Sequence, residues 1–415
     1  MSEGLPPGGA VVVVGASLAG WRAVETLRAE GFDGRITLVG EELHLPYDRP
    51  PLSKQVLDGS WPPEKAVLAD RRRSGELQVH EVLGHRAVRL DVGARQVEID
   101  DGTVLTGDAL VLATGAAPRR LPGTERLGHD DGLFTLRTLD DSLALRAAVT
   151  AVEPCRVVVI GAGFIGAEVA STCAAMGCQV TVVEVMEIPL ANLLGPLIGA
   201  YCGSLHVAHG VDLRTGVGVA DVRRAEGDPG GLVVELEDGA AIGADVVVVG
   251  IGVAPTVDWL QDSGLLVENG VVCDDRLFAA EGIVAAGDLA RWTWRHDGAE
   301  EQVRIEHWQV AAEAGMAAAH GLLAGHDAAA PFAPIPYFWS DQFDIRFQVL
   351  GSPGGQDDVE IVEGSFDEGV FVALFGREGR LRAAMAVGRP RRLMAWRPLL
   401  EAGSSWDDAL ASASA

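Results

Sequence analysis

Short aliphatic runs recur along this chain, and most of them end at a glycine-bearing turn. Val11 to Val14, Ala109 to Ala113, Cys155 to Ile160, Gln179 to Val183, Asp245 to Val249 and Ile283 to Ala286 are the clearest. Runs this apolar suit strands covered on both faces, as in parallel sheets flanked by helices. Arg35 to Val39 reads as the second strand of the first unit, separated from Val11 to Val14 by a helical stretch. The alternation of strand and helix predicts an α/β fold. It begins near the N-terminus and restarts at Cys155, which predicts one doubly wound unit inserted into another. The expected boundaries are 1–115 with 246–325 for the outer unit and 116–245 for the inserted one. From about Pro331 the pattern changes to shorter β-rich stretches, Arg346 to Leu350, Val359 to Val362, Val370 to Phe375 and Leu381 to Val387. A small α+β domain is expected over 326–415, its tail Ser404 to Ala415 forming a short or frayed helix.

Two of the turns carry chemistry. Val11-Val12-Val13-Val14 runs into Gly15-Ala16-Ser17-Leu18-Ala19-Gly20, and Val157-Val158-Val159-Ile160 runs into Gly161-Ala162-Gly163-Phe164-Ile165-Gly166. In such a turn the first glycine lets the chain pivot, and the second lets backbone approach a pyrophosphate. The third lets helix and strand pack closely, and the helix N-terminus offers unpaired N–H groups to the phosphates. Gly161, Gly163 and Gly166 satisfy all three demands, whereas Ser17 replaces the middle glycine of the first turn. An acid follows each turn by about 20 residues, Glu41 and Glu184, placed to accept ribose hydroxyls. One such motif could be a plain strand–helix connection; two, each with its acid, predict two dinucleotides and electron transfer between them. Glu184 would repel a 2′-phosphate, and Val185, Met186 and Glu187 supply no arginine to receive one, so NADH is expected over NADPH. A nucleophile-elbow reading of Gly15-x-Ser17 fails because that pattern needs glycine where Ala19 stands.

Composition narrows the classes. At 415 residues and 48% hydrophobic, the chain can build two or three full cores. A formal net charge of −26 opposes general nucleic-acid or anionic-membrane binding. Met1 to Gly9 has no Lys or Arg and precedes only a short apolar run, so neither a signal peptide nor a membrane span is expected, and a cytoplasmic location is. The five cysteines, Cys155, Cys173, Cys178, Cys202 and Cys273, form no CxxC. Cys173 and Cys178, on the helix behind the second turn, read as buried structural thiols rather than a redox pair. His206 and His209 lack a companion cluster, and no metal site is expected.

Further segments bring a family into view: Leu45-Pro46-Tyr47-Asp48-Arg49-Pro50-Pro51-Leu52-Ser53-Lys54, Ala113-Thr114-Gly115, Gly250-Ile251-Gly252-Val253-Ala254-Pro255, Ala286-Gly287-Asp288, Glu306-His307-Trp308 and Phe338-Trp339-Ser340-Asp341-Gln342. With the two turns they make the chain resemble, from about Ala10 to Trp406, the NADH-dependent ferredoxin reductases of bacterial monooxygenase systems. The resemblance implies two Rossmann-like domains, for FAD and for NADH, and a small C-terminal domain. It implies Gly15, Ser17, Gly20, Glu41, Thr114, Gly115 and Arg119 on FAD, with Arg49 and Lys54 against the flavin. Asp288 would bond the ribityl chain or its neighbourhood, and Trp308 would pack beside the isoalloxazine. Gly161, Gly163, Ile165, Gly166, Glu184 and Gly252 would hold NADH. Glu168 would approach the flavin and pair with Lys54, the two being the expected catalytic residues.

The implied reaction passes a hydride from NADH to FAD and then single electrons to an iron–sulfur ferredoxin feeding a haem monooxygenase or dioxygenase. Disulfide reductases of related type place a redox cysteine in the first FAD segment, and here none precedes Cys155. From Phe371 to Leu400 seven arginines (377, 380, 382, 389, 391, 392, 397) face one acid, Glu378. With Arg291 and Arg295 they suggest a basic docking face for an acidic ferredoxin on a monomer or weak dimer. Two other functions fit the residues: an NADH oxidase, and a flavin-bound NADH-sensing interaction protein related to apoptosis-inducing factor.

Overall fold

The computed structural model describes residues 4–227, 231–296 and 299–413. They divide into two compact units. The first comprises Met1–Asp48, Val67–Ala117 and Ala254–Pro336, and the second Arg49–Ala66, Pro118–Val253 and Tyr337–Ala415.

In the first unit the aliphatic runs become a six-stranded sheet in the order Phe278–Ala280, Ile283–Ala285, Ala109–Leu112, Ala10–Val14, Arg35–Gly40, Val79–Leu83. All neighbours run parallel except the first pair. Val11 to Val14, Leu110 to Leu112 and Ile283 to Ala285 are buried, the double coverage that their unbroken apolar character called for. The helices Leu18–Ala29 and Trp308–Ala324 contribute Trp21, Val24, Leu27, Ala314 and Ala318 to the same core.

The second unit repeats the plan. A five-stranded parallel sheet runs Asp212–Thr215, Gln179–Glu184, Arg156–Ile160, Val246–Val249, Leu133–Phe134. Its central strand feeds the helix Phe164–Ala175. The C-terminal part of this unit is a five-stranded antiparallel sheet in the order Tyr337–Gln342, Ile345–Gly351, Arg380–Val387, Val370–Arg377, Asp358–Ser365. Phe347, Phe371, Phe375 and Met385 of that sheet pack with Leu194, Ile198 and Cys202. The latter belong to the helix Ala191–Ala208, which kinks at Gly195–Pro196. The tail is helical over Trp406–Ala413.

Two antiparallel meanders lie outside the aliphatic runs: Ala87–Asp91, Gln96–Ile99 and Val104–Thr106 in the first unit, and Val219–Arg224, Leu232–Leu236 and Ala241–Ala244 in the second. Their strands are partly exposed, and each is either very short or interrupted by charged residues, so no long apolar run marks them. Arg49–Ala66, which holds Arg49 and Lys54, belongs by contact to the second unit. Among the described residues no helix is long and apolar enough to cross a membrane.

Candidate active site

In the first unit the strand Ala10–Val14 turns into its helix through Gly15, whose φ of +123° only glycine holds comfortably. The Gly15 N–H donates to the Val39 carbonyl at 2.8 Å, and a Cβ here would stand 2.0 Å from the Ala113 oxygen. A Cβ on Gly20 would likewise lie 2.0 Å from the Gly15 oxygen, so the helix seats directly on the turn. Ser17 is the N-cap residue, yet its hydroxyl makes no capping bond to the helix. The hydroxyl is therefore available to a ligand at this N-terminus. Glu41 stands exposed just after the strand Arg35–Gly40. Thr114 and Gly115 are tied to one residue: Thr114 Oγ1 donates to the Thr256 carbonyl at 2.9 Å, and the Thr256 N–H to Gly115 at 3.0 Å.

Asp288 sits half-buried in the single turn Gly287–Leu289, after the strand Ile283–Ala285. Trp308 opens its helix and donates its indole N–H to Asp48 Oδ1 at 2.8 Å. Burial raises the Asp48 carboxyl above its usual range, against the Trp308 bond and the charge of Arg22. Burial also pushes the neighbouring His307 down to about 4, with Asp288 pulling the other way, so this imidazole is neutral at physiological pH.

The second unit carries the more regular cradle. Gly161 has φ +100° and donates to the Val183 carbonyl at 2.8 Å. A Cβ on Gly166 would stand 2.0 Å from the Gly161 oxygen, whereas one on Gly163 would meet nothing within 4 Å. The space over Gly163 is thus open, as a pyrophosphate approaching backbone requires. Glu184, buried at the end of its strand, is pinned by two backbone donors: Ala162 N–H to Oε2 at 2.7 Å and Met186 N–H to Oε1 at 2.9 Å. Each oxygen keeps lone-pair capacity for a ribose hydroxyl. Ile165 in the first helical turn is 48% exposed. Gly252, at φ +92°, accepts from the Arg119 N–H at 2.9 Å, and Arg119 Nε donates to the Val253 carbonyl at 3.1 Å. Both turns therefore fit a dinucleotide: each combines a pivot glycine, a close-packing glycine and an uncapped helix N-terminus, followed by a glutamate at the end of the next strand.

The same unit assembles a buried ion pair. Lys54 Nζ lies 2.7 Å from Glu168 Oε2, with side-chain exposures of only 12% and 4%. Ser53 Oγ donates to the same oxygen at 2.5 Å. Ser340 Oγ and the Asp341 N–H donate to Oε1 at 2.9 and 3.1 Å. The carboxylate is thus bonded on both oxygens, the condition under which a buried ion pair is tolerated. The short helical turn Pro50–Ser53 is held from behind, Ser142 Oγ donating to the Leu52 carbonyl and Thr172 Oγ1 to that of Ser53, each at 2.7 Å. The Arg49 guanidinium donates to the Arg137 carbonyl.

Comparison with known proteins places this geometry. The pyridine nucleotide-disulphide oxidoreductase family model matches residues 9–315, and the reductase C-terminal model matches 337–415. Rhodocoxin reductase of Rhodococcus erythropolis is 37% identical over 391 residues, covering 94% of this chain and 89% of that one. The anthranilate 1,2-dioxygenase system ferredoxin–NAD(+) reductase component of Burkholderia cepacia is 39% identical over 404 residues, 95% of each chain. The solved covalent putidaredoxin reductase–putidaredoxin complex superposes with a TM-score of 0.89 at 32% identity, covering 96% of this chain and 94% of that one. The chain belongs to the ferredoxin reductases of the pyridine nucleotide-disulphide oxidoreductase family. It is an oxidoreductase, and the family's cofactors are FAD and NAD(H).

For this reductase the structure adds residues to which the sequence assigned no role. Ser53 and Asp48 lie inside the Tyr47-to-Lys54 segment, and Ser340 and Gln342 inside Trp339-to-Gln342. The sequence shows only that Ser340 and Gln342 are polar and two apart, hence on one face of a strand; their full burial is what the structure adds. The basic excess counted along the sequence is cancelled only in part, since among the described residues Arg380, Arg382 and Arg391 have no acidic partner. Arg377 pairs with Asp357, Arg389 and Arg392 with Glu363, and Arg397 with Glu401. Arg291 pairs with Glu268, and Arg295 with Asp275 and Glu300. A window from 371 to 400 leaves out Asp357, Glu363 and Glu401, and so overstated the local charge. All five cysteines are free, Cys173 buried and Cys178 half-buried.

Proposed function

We propose that FAD occupies the first cradle, with Gly15, Ser17, Gly20, Glu41, Thr114, Gly115, Arg119 and Asp288 on its phosphates, ribose and ribityl chain and Trp308 beside its ring. NADH occupies the second, on Gly161, Gly163, Ile165, Gly166, Glu184 and Gly252. The reductase draws electrons from NADH and delivers them to an iron–sulfur ferredoxin that serves an oxygenase system, and it works in the cytoplasm. The observation that carries this reading is the pair of glycine cradles on one chain, each followed by its own glutamate. The Burkholderia cepacia relative supports the electron acceptor, since it is the ferredoxin–NAD(+) reductase component of a dioxygenase system.

When bound, the flavin supplies the two-electron to one-electron conversion that neither a nicotinamide nor an iron–sulfur cluster performs alone. The chain's own work is positioning and electrostatics. Glu184 fixes the adenosine ribose and excludes a 2′-phosphate. Lys54, held by Glu168 and reached through the Arg49 segment, places a fixed cation against the flavin, where reduction develops negative charge. A redox thiol in the first FAD segment, as disulfide reductases carry, has no part, because no cysteine precedes Cys155.

The test is acceptor choice. The FAD-loaded protein is mixed with NADH in air, with and without an acidic iron–sulfur ferredoxin, and NADH consumption is followed. Slow consumption alone and fast consumption with ferredoxin is the expected result. Fast consumption without any ferredoxin marks an oxidase. A persistent reduced flavin that ignores every ferredoxin marks a sensor.

A further inference from the structure

Ser340, Asp341 and Gln342 belong to the outer strand Tyr337–Gln342 of the C-terminal antiparallel sheet, far in sequence from either glycine turn. Two of the three nevertheless act directly on Glu168. Ser340 Oγ bonds Glu168 Oε1 at 2.9 Å, and the Asp341 N–H reaches the same oxygen at 3.1 Å. Gln342 Nε2 in turn bonds Ser340 Oγ at 3.3 Å. The directions are forced by chemistry. An ionised glutamate has no proton to give, so the serine's single hydroxyl proton must go to Glu168. Gln342 must then donate its amide hydrogen to the serine oxygen. The chain of donors runs Gln342 to Ser340 to Glu168 Oε1, and the Lys54 ammonium donates to the other carboxylate oxygen, Oε2, at 2.7 Å.

Two details argue that this chain is more than packing. Ser340 and Gln342 are both 0% exposed, and among the described residues the Gln342 amide oxygen has no hydrogen-bond partner. A strand whose task was only to pack would shed that cost by carrying an apolar residue there. The neighbouring backbone is also tied to the Glu168 helix, where the Phe343 N–H donates to Ser171 Oγ at 2.5 Å. The Asp341 carboxylate is occupied elsewhere, in a two-pronged pair with Arg346 at 2.5 and 3.0 Å, which leaves its N–H as its contribution here.

We infer that Ser340 and Gln342 are positioning residues for the reductase reaction: they hold the Glu168 carboxylate at the angle that fixes Lys54, so the C-terminal sheet sets how fast NADH reduces the flavin. This rests on the reading that Lys54 faces the flavin. Positioning of this kind acts on the rate of the chemical step and leaves NADH affinity alone.

The experiment uses rapid mixing of the FAD-loaded full chain with NADH under anaerobic conditions. It separates the limiting rate of flavin bleaching from the NADH dissociation constant, and the flavin reduction potential is measured on the same samples. Ser340→Ala is expected to lower the limiting rate about tenfold, the loss of one hydrogen bond to a charged group, with the dissociation constant within about twofold. Its potential shifts in the same direction as that of Lys54→Ala. Ser340→Thr keeps the hydroxyl and restores both quantities. Ser340→Cys, close in shape but a weak donor, falls between, and it decides the matter if Ser340→Ala does not fold. If Ser340→Ala and Ser340→Cys match the parent in rate and potential while Lys54→Ala does not, the positioning role is overturned and the site reading stands. If Lys54→Ala itself changes neither quantity, the site reading fails, and the inference with it.

Discussion

Replacing Glu184 tests the coenzyme site at one atom group. Its carboxylate takes the Ala162 N–H on one oxygen and the Met186 N–H on the other, at 2.7 and 2.9 Å, which leaves capacity for the adenosine ribose. In Glu184→Ala the ribose loses its charged acceptor. A hydrogen bond to a charged group contributes about 1.5–3 kcal/mol, so NADH affinity is expected to fall about 10- to 150-fold. The limiting rate of flavin reduction stays near that of the parent, because the ribose is remote from the reacting carbon. The two stranded N–H groups add a stability cost of about 1–3 kcal/mol each where they stay dry. Glu184→Gln keeps an acceptor oxygen and is expected to lie between. Removing the carboxylate also removes its repulsion of a 2′-phosphate, so the preference for NADH over NADPH narrows. The assay is the concentration dependence of flavin bleaching with each coenzyme. An unchanged NADH dissociation constant in Glu184→Ala, or a parent protein that takes NADPH as readily as NADH, refutes the assignment.

Four more outcomes follow from particular residues. Gly163→Ala is expected to fold with parent stability, since a Cβ there meets nothing within 4 Å and φ is −70°, yet it occupies pyrophosphate space and weakens NADH at least about tenfold. Gly166→Ala, with only 2.0 Å to the Gly161 oxygen, is expected to lose stability as well, and equal thermal unfolding of the two variants would contradict this. Burial pushes His206 down to about 4 from 6.5, so between these pH values the unfolded chain binds the extra proton. Its contribution is present above pH 6.5 and lost as pH falls toward 4, by about 3 kcal/mol at most. His206→Gln should flatten urea-unfolding stability against pH by that amount, and parallel curves would count against it. Because Arg377, Arg389, Arg392 and Arg397 are already paired, rising salt should slow turnover at limiting ferredoxin only about two- to threefold; a steep loss would mean that these pairs open on docking.

How far the sequence reached depended on whether a signal was local. Val11–Val14 and Val246–Val249 were legible because a strand buried on both faces is apolar throughout. The cradles were legible because steric need maps onto glycine: positions 15, 20, 161 and 166 are where a Cβ would strike backbone. The meanders were not, since strands such as Ala87–Asp91 carry mixed residues at modest burial. Glu168 was visible as half of a pair, but its other donors come from 115 and 172 residues away, and no spacing rule connects them. Asp48 stood within a quoted motif, and only the fold brings it to an indole 260 residues on. The arginine count overstated the charge for the converse reason: Asp357, Glu363 and Glu401, which pair with four of the seven arginines, lie outside the window counted.

The central claim is that this one chain binds both a flavin and its reductant, each in its own cradle. Anaerobic titration of the purified, FAD-loaded protein with NADH tests it most directly. Bleaching of the visible flavin band in step with each addition, complete at one NADH per flavin, is the result expected. A chain that retains no flavin on reconstitution, or a bound flavin whose band NADH leaves untouched, would contradict it.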